Sequence, residues 1–377
     1  MLTEHPNRIR KLLVSDKMNK EGVFGVRMFK NGEEQTVVLD NYIPCDESGE
    51  PVFSSANGNE LWVILLEKAW AKLHGSYERI IGGQAHLTLR DMTGAPAFEF
   101  ETSDEEAFAR ILEGEHLNYA MAAGINPLDQ NQAAKVKQLG LVTEHSYGLL
   151  SAAEVHDKKG NLARLVQMRN PWGNFEWQGD WGDKSDCWTP ELKLQLDLKD
   201  DADDGTFWMS FDDMKKYFGR FQVAKINDDY TFSSLKIRQD PNSFNLIKFK
   251  VASTGEHTLS VSQKGERMFD RDSAYKYANC RLIILKWKND KNPNAGFEYV
   301  CGSKGVEERD AYIELKKLDK GTYYFYIEME WPVDHPLYDF CVTSYGESNV
   351  TFEGDDAQQL CENKKEVALE IAFMAKA

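Results

Sequence analysis

No apolar run in the 377 residues approaches the roughly 20 that a membrane-spanning helix requires, and the opening MLTEHPNRIRKLL lacks the apolar core of a signal peptide. The six cysteines, Cys45, Cys187, Cys280, Cys301, Cys341 and Cys361, show no CxxC or CxxxC spacing, which excludes a disulfide framework and a spaced zinc site. No two of the eight histidines form an HxxxH pair. Positive charge is also in short supply. With 45 basic against 61 acidic residues the net charge is −16, which argues against nonspecific binding to DNA or to an anionic bilayer. These absences point to a chain in a reducing, cytoplasmic setting with no nucleic-acid partner. What is present suits a globular protein: 42% hydrophobic and 12% aromatic residues allow a substantial core, and the length allows about two domains.

The first residues read as the end of an amphipathic helix, with Pro6 in its first turn and Ile9, Leu12 and Leu13 at helical spacing. Alternating residues on both sides of Asn31-Gly32 predict a hairpin, because both turn residues tolerate positive φ. The spacing of Leu61, Trp62, Leu65, Leu66, Ala69, Trp70 and Leu73 predicts a helix over 59–74, with Asn59 as N-cap and Gly75 as its stop. Ser103-Asp104-Glu105-Glu106 resembles a capping box and predicts a second helix over 103–113. Strands are expected at 146–155 and 161–169 around a Lys158-Lys159-Gly160 turn, then a helix over 211–219 and a strand over 221–226. Beyond about residue 230, short alternating segments at 245–251, 256–263, 281–288, 311–315, 322–330 and 338–345 predict a β-sandwich. The boundary is expected near Asn227-Asp228-Asp229.

Chemistry concentrates between Glu144 and Phe211. Glu144-His145-Ser146-Tyr147 leads into one predicted strand, and Met168-Arg169-Asn170-Pro171-Trp172-Gly173 ends the next. A thiol protease needs an imidazole to pair with its thiolate and a third group to orient that imidazole, and an amide oxygen can do so without adding charge. The spacing permits a His145–Asn170 dyad if the two strands pair. Taken singly, each residue has a plainer reading: a structural histidine in a strand, and an Asn-Pro turn initiator.

RNPWG, then EWQGDWGDKS, then DGTFWMSFDDMKKYF resemble successive blocks of the calpain family of cysteine proteases, and GNELWVILLEKAWAKLHGSYERIIGG resembles the same family's upstream helix and turn. The resemblance implies an α+β, mostly β fold: a papain-like second core subdomain followed by an antiparallel β-sandwich. Residues 1–20 would be the remnant of the first core subdomain, 21–227 the second subdomain and 230–377 the sandwich. It also implies that His145 is the catalytic histidine and Asn170 its orienting partner. Trp172 would be the active-site tryptophan that moves aside on activation. Glu144 departs from the family's usual glycine; its charge either raises the imidazole pKa or points to solvent. The nucleophilic cysteine would lie shortly before Met1, outside the chain. Cys187-Trp188 imitates a Cys-Trp pair but has neither a helix nor an upstream Gln.

The resemblance implies calcium as well, with Glu176, Asp183 and Asp204 as carboxylate ligands and a carbonyl near Ala202. Calcium takes about 6–8 oxygens, and Thr206 stands where the family often has an acid. The plainer reading of this stretch is a solvated acidic loop. In the sandwich, the aromatic run Thr322–Tyr326 reads as core and cross-strand pairing, and the cluster Asp270-Arg271-Asp272 as a surface turn. A membrane role for the sandwich loops has no support in the sequence. Two functions remain. One is the imidazole half of a calcium-dependent endopeptidase acting on extended or disordered protein segments, inactive without its Cys-bearing subdomain. The other is a non-catalytic, calcium-responsive regulatory or interaction module.

Overall fold

The computed structural model describes all residues except 1, 16, 18, 56, 57, 59, 126–128, 199–203, 239–244, 271, 289–294, 333–338, 354–369 and 372–377. The chain forms two compact units. One comprises Met1–Arg10, Gly83–Arg90 and Ala95–Asn227; the other comprises Lys11–Gly82, Asp91–Gly94 and Asp228–Ala377. The chain passes between units at Asn227/Asp228, where the sequence texture changes. Lys11–Gly82 groups with the C-terminal residues, although it lies largely inside the 21–227 stretch that resembles one subdomain. No helix among the described residues is long and apolar enough to cross a membrane.

Strands β1 (Phe24–Lys30) and β2 (Glu33–Leu39) form the expected hairpin, with Lys30 paired to Glu33 across Asn31 at φ 51° and Gly32 at φ 80°. Two consecutive positive φ values are what a tight two-residue turn needs. The helix that follows runs Trp62–His74, beginning later than the spacing predicts. Leu61 occupies its N-cap without a side-chain bond, and the expected cap Asn59 lies outside the described residues. Gly75 ends it at φ 101°, donating its N–H to Lys72 O.

In the unit containing His145, β3 (Ala97–Glu101), β4 (Ala120–Ile125), β5 (His145–His156), β6 (Leu162–Arg169), β7 (Thr206–Ser210) and β8 (Arg220–Ala224) form one antiparallel sheet in the order β3-β8-β4-β5-β6-β7. Its core holds Phe108 and Ile111 from the helix Ala107–His116 against Tyr147, Met168, Phe207 and Phe221. A second cluster, including Val155, Leu165, Trp181, Trp188 and Trp208, packs near the other end of β5 and β6. The helix at 107 starts later than the capping-box reading allows. Residues 102–106 are turns, Thr102 donates its hydroxyl to Phe218 O, and Ala107 N–H bonds to Asp104 O, so no Ser103 cap forms. Strand β4, Ala-Met-Ala-Ala-Gly-Ile, is buried on both faces and so has no alternation to detect.

The sandwich is built from β9 (Thr231–Arg238), β10 (Asn245–Val251), β11 (Gly255–Gln263), β12 (Asn279–Trp287), β13 (Phe297–Gly302), β14 (Asp310–Leu318), β15 (Gly321–Glu330), β16 (Asp339–Gly346) and β17 (Val350–Glu353). The described strands pair as β13-β12-β15-β10-β17 and β14-β11-β16-β9. Phe249, Leu259, Leu282, Ile284, Phe325 and Val342 are fully buried in its core. Every segment predicted as a strand after residue 230 is one, within a residue or two at most boundaries; β9, β13 and β17 are additions.

Candidate active site

Strands β5 and β6 pair antiparallel with Gly148 opposite Arg169, so the start of β5 and the residue after β6 meet at one end of the sheet. His145 opens β5 and Asn170 follows β6 there. Their side chains are joined, with His145 Nε2 2.8 Å from Asn170 Oδ1. The amide's orientation follows from its other bonds. Asn170 Nδ2 donates to the carbonyls of Asn174 at 2.6 Å and Phe175 at 3.3 Å, which leaves Oδ1 as the acceptor facing the imidazole. The same Oδ1 also accepts the Trp172 N–H at 3.1 Å. Nε2 must therefore carry the hydrogen, and the neutral ring keeps its lone pair on Nδ1.

Asn170 is completely buried, which makes its full set of bonds a requirement. Its N–H bonds to Gly205 O at 2.8 Å, and its carbonyl accepts the Gly173 N–H at 3.0 Å. Gly205 is glycine for a visible reason: at φ 82°, a Cβ would stand 2.6 Å from Asn170 O. Around the imidazole, Tyr147 is edge-on at 5.0 Å and Trp172 lies tilted over it at 4.4 Å between ring centroids. Tyr147 is fully buried; its hydroxyl accepts the Val142 N–H at 2.8 Å, and burial pushes its pKa up to about 12. Burial lowers the His145 pKa below the ordinary histidine value, partly opposed by the bond to Asn170. Glu144 is exposed and contributes nothing to that shift. It holds φ 52°, a left-handed conformation that a glycine adopts without strain.

Glu176 and Asp183 line one cleft of about 370 Å³, together with Phe175, Gln178, Lys184 and Ser185. Glu176 Oε1 accepts the N–H groups of Asp204 at 3.0 Å and Gly205 at 2.8 Å, tying this cleft to the turn that supports Asn170. Asp204 Oδ1 instead accepts the Thr206 N–H at 2.9 Å. Among the described residues no group of three or more His, Cys, Asp or Glu side chains is placed to hold a metal ion. Ala202 lies outside the described residues, as does Arg271 of the sandwich loop. Two hard carboxylates in one cleft suit calcium chemically, and the Asp204 main chain is bonded to one of them.

Cys187 is partly buried against the cluster that holds Val155, Leu165 and the Trp181–Trp188 pair. Val155 of that cluster is ten residues along β5 from His145, so at about 3.3 Å per residue the cluster's β5 end is roughly 30 Å from the start of the strand where the imidazole sits. Burial pushes the thiol of Cys301 up to about 11 and that of Cys280 higher still, both unfavourable for a thiolate. Phe175 is the site residue that sequence reasoning passed over. It is half-exposed, held at φ 60°, and edge-on to Trp172 at 6.4 Å. Only the positive φ, invisible in sequence, sets it apart.

A sequence model of the calpain family cysteine proteases matches residues 1–225. The calpain-type cysteine protease ADL1 of Oryza sativa subsp. japonica is 36% identical over 230 residues, 58% of this chain and 10% of that protein. The calpain-type cysteine protease DEK1 of Zea mays is 36% identical over 237 residues, 60% of this chain and 11% of that protein. The calpain-2 catalytic subunit of Rattus norvegicus is 33% identical over 226 residues, 59% of this chain and 32% of that protein. The matched part thus spans about a tenth of the plant proteins and about a third of the animal one. A solved clostridial cysteine protease aligns with 66% of this chain and 58% of its own at 9% identity and a TM-score of 0.21, too loosely to bear on the argument.

Proposed function

Because this chain belongs to the calpain family of cysteine proteases, we propose that it supplies the imidazole half of a calpain-type endopeptidase site, with His145 as proton carrier and Asn170 as its orienting partner. The reading rests on the 2.8 Å bond between His145 Nε2 and an amide oxygen whose orientation is fixed by two carbonyls. That bond leaves Nδ1 as the group that exchanges protons. A thiol from a Cys-bearing segment outside these 377 residues gives its proton to Nδ1, and the thiolate attacks the peptide carbonyl. Nδ1–H then protonates the departing amine. Water, deprotonated by the same nitrogen, hydrolyses the acyl-thioester and restores the thiol. Substrates are extended protein segments, and the setting is the reducing cytoplasm, consistent with the free thiols of the described cysteines.

Activity measurements on a protein substrate test this. The 377-residue chain is expected to cleave nothing, with or without calcium; cleavage abolished by His145→Ala would overturn the external nucleophile. A longer chain carrying the cysteine is expected to be active and to lose roughly 10³-fold or more on His145→Ala. Retained activity in that variant would remove His145 from its role. We further propose that calcium is held by Glu176 and Asp183 in their shared cleft, completed by main-chain and water oxygens. Calorimetric titration with calcium is expected to give binding heat that Asp183→Ala abolishes; equal heats would sink the assignment.

A further inference from the structure

Phe175 holds φ 60°, where a bulky side chain is seldom found, and such outliers are maintained only when their surroundings impose them. That conformation sends the residue's backbone and ring to different neighbours. The carbonyl accepts Asn170 Nδ2 at 3.3 Å, beside the Asn174 carbonyl at 2.6 Å. The ring instead stands edge-on to Trp172, with centroids 6.4 Å apart and planes at 72°. Trp172 is 58% exposed, an unusual position for so large an apolar ring. Among the described residues, rings in contact with it are those of Phe175 and His145, the latter at 4.4 Å and 46°. Its backbone N–H is anchored to Asn170 Oδ1, and its indole packs on both of these rings.

We propose that Phe175 is a positioning residue, braced against Trp172 so that the indole stays over the imidazole face of His145 and limits the water reaching it. The proposal rests on the reading of His145 and Trp172 as active-site groups, but concerns their resting arrangement rather than turnover. An aromatic pair in T-shaped contact favours one relative geometry. Without the brace, a half-exposed indole is freer to leave the imidazole. The competing account is that the residue serves only to close the Asn170–Phe175 loop through its carbonyl. That account requires the backbone conformation and assigns nothing to the ring.

Nuclear magnetic resonance titration of His145 separates the two. Phe175→Gly and Phe175→Asn both accept the left-handed backbone and remove the ring. In each, the His145 pKa is expected to rise toward the ordinary histidine value, and its ring C–H resonances to lose the shift imposed by the indole. Phe175→Tyr is expected to keep both as in the parent. In a Trp172→Ala background, Phe175→Gly is expected to change neither further, because the effect passes through the indole. Persistence of the Asn170 side-chain amide resonances confirms that the loop remains closed. An unchanged His145 in Phe175→Gly, or an equal shift with and without Trp172, would overturn the proposal. Since no turnover is measured, failure here and failure of the peptidase reading are separately visible.

Discussion

Asn170 has more demands on it than any neighbouring side chain. It accepts from His145 and the Trp172 amide, donates to two carbonyls, and is fully buried. An aspartate could accept the same bonds but would face both carbonyls without a donor, and would add a charge beside the imidazole. Glu144 shows the opposite economy: exposed, at φ 52°, it carries strain with no charge effect on its neighbour. Glu144→Gly is therefore expected to stabilise the fold by about 1 kcal/mol while leaving the His145 pKa unchanged. Urea denaturation midpoints and a histidine titration check the two halves. The identities of His145 and Asn170 were legible because they sit in long family-like blocks. The strain at Glu144 and Phe175 was not, because φ is decided by the contacts of the folded chain and not by residue type.

The elements that bring the site together were also largely legible. Strands β5 and β6 and the turn between them follow from alternation and from Lys158-Lys159-Gly160. Strand β4 escaped because burial on both faces removes alternation, and β7 because it is short and follows an aperiodic loop. The β1–β2 hairpin has a second role that its turn signal did not reveal. Its tip packs on the sandwich: Gly265 N–H donates to Asn31 Oδ1 at 3.1 Å, and the Cys341 thiol donates to Gly32 O at 3.2 Å. A Cβ on Gly32 would stand 2.9 Å from Cys341 Cβ and 3.0 Å from Ser262 Cβ. Gly32→Ala is thus expected to destabilise this unit by roughly 2 kcal/mol or more, adding crowding to backbone strain. Gly49→Ala is the control. Gly49 has φ 87° with nothing near its missing Cβ, so only the backbone cost of about 1 kcal/mol should appear. Comparable losses in the two variants would refute the packing role of the tip.

At the scale of the whole molecule, the unit that includes the sandwich encloses a charge network assembled from distant residues. Lys30 meets Asp91 at 3.2 Å; Asp91 meets Arg309 at 2.8 Å; and Arg309 meets Asp310 at 2.6 Å, all of them buried. The two cations balance the two anions. His74 Nε2 lies 2.5 Å from Lys30 Nζ, and its Nδ1 is 2.9 Å from Trp70 O. It is therefore neutral, donating from Nδ1 to that carbonyl and accepting from the lysine. Burial first, and then the Lys30 charge, depress its pKa to about 4. The unfolded chain, with an ordinary histidine, binds more protons between about pH 6.5 and 4, so stability is full above that window and falls as pH drops through it. The loss is expected to be on the order of 3 kcal/mol for His74. His74→Gln, which retains an acceptor but does not titrate, should flatten that part of the stability–pH curve. A curve of unchanged slope would show that His74 does not control it.

By itself the sequence determined the family, the β-rich sandwich, the identity of the His145–Asn170 pair and most strands after residue 230, because these depend on local alternation, turn residues and contiguous blocks. Only tertiary structure decided how they are used. It fixed the Asn170 amide through two carbonyls, held Phe175 against Trp172, tied the Asp204 main chain to Glu176, and grouped Lys11–Gly82 with the C-terminal residues. Each of these depends on backbone angles and side-chain packing that are set only in the folded chain, by near neighbours at Asn170 and Phe175 and by distant ones at Lys11–Gly82. Periodicity and spacing carry no record of that.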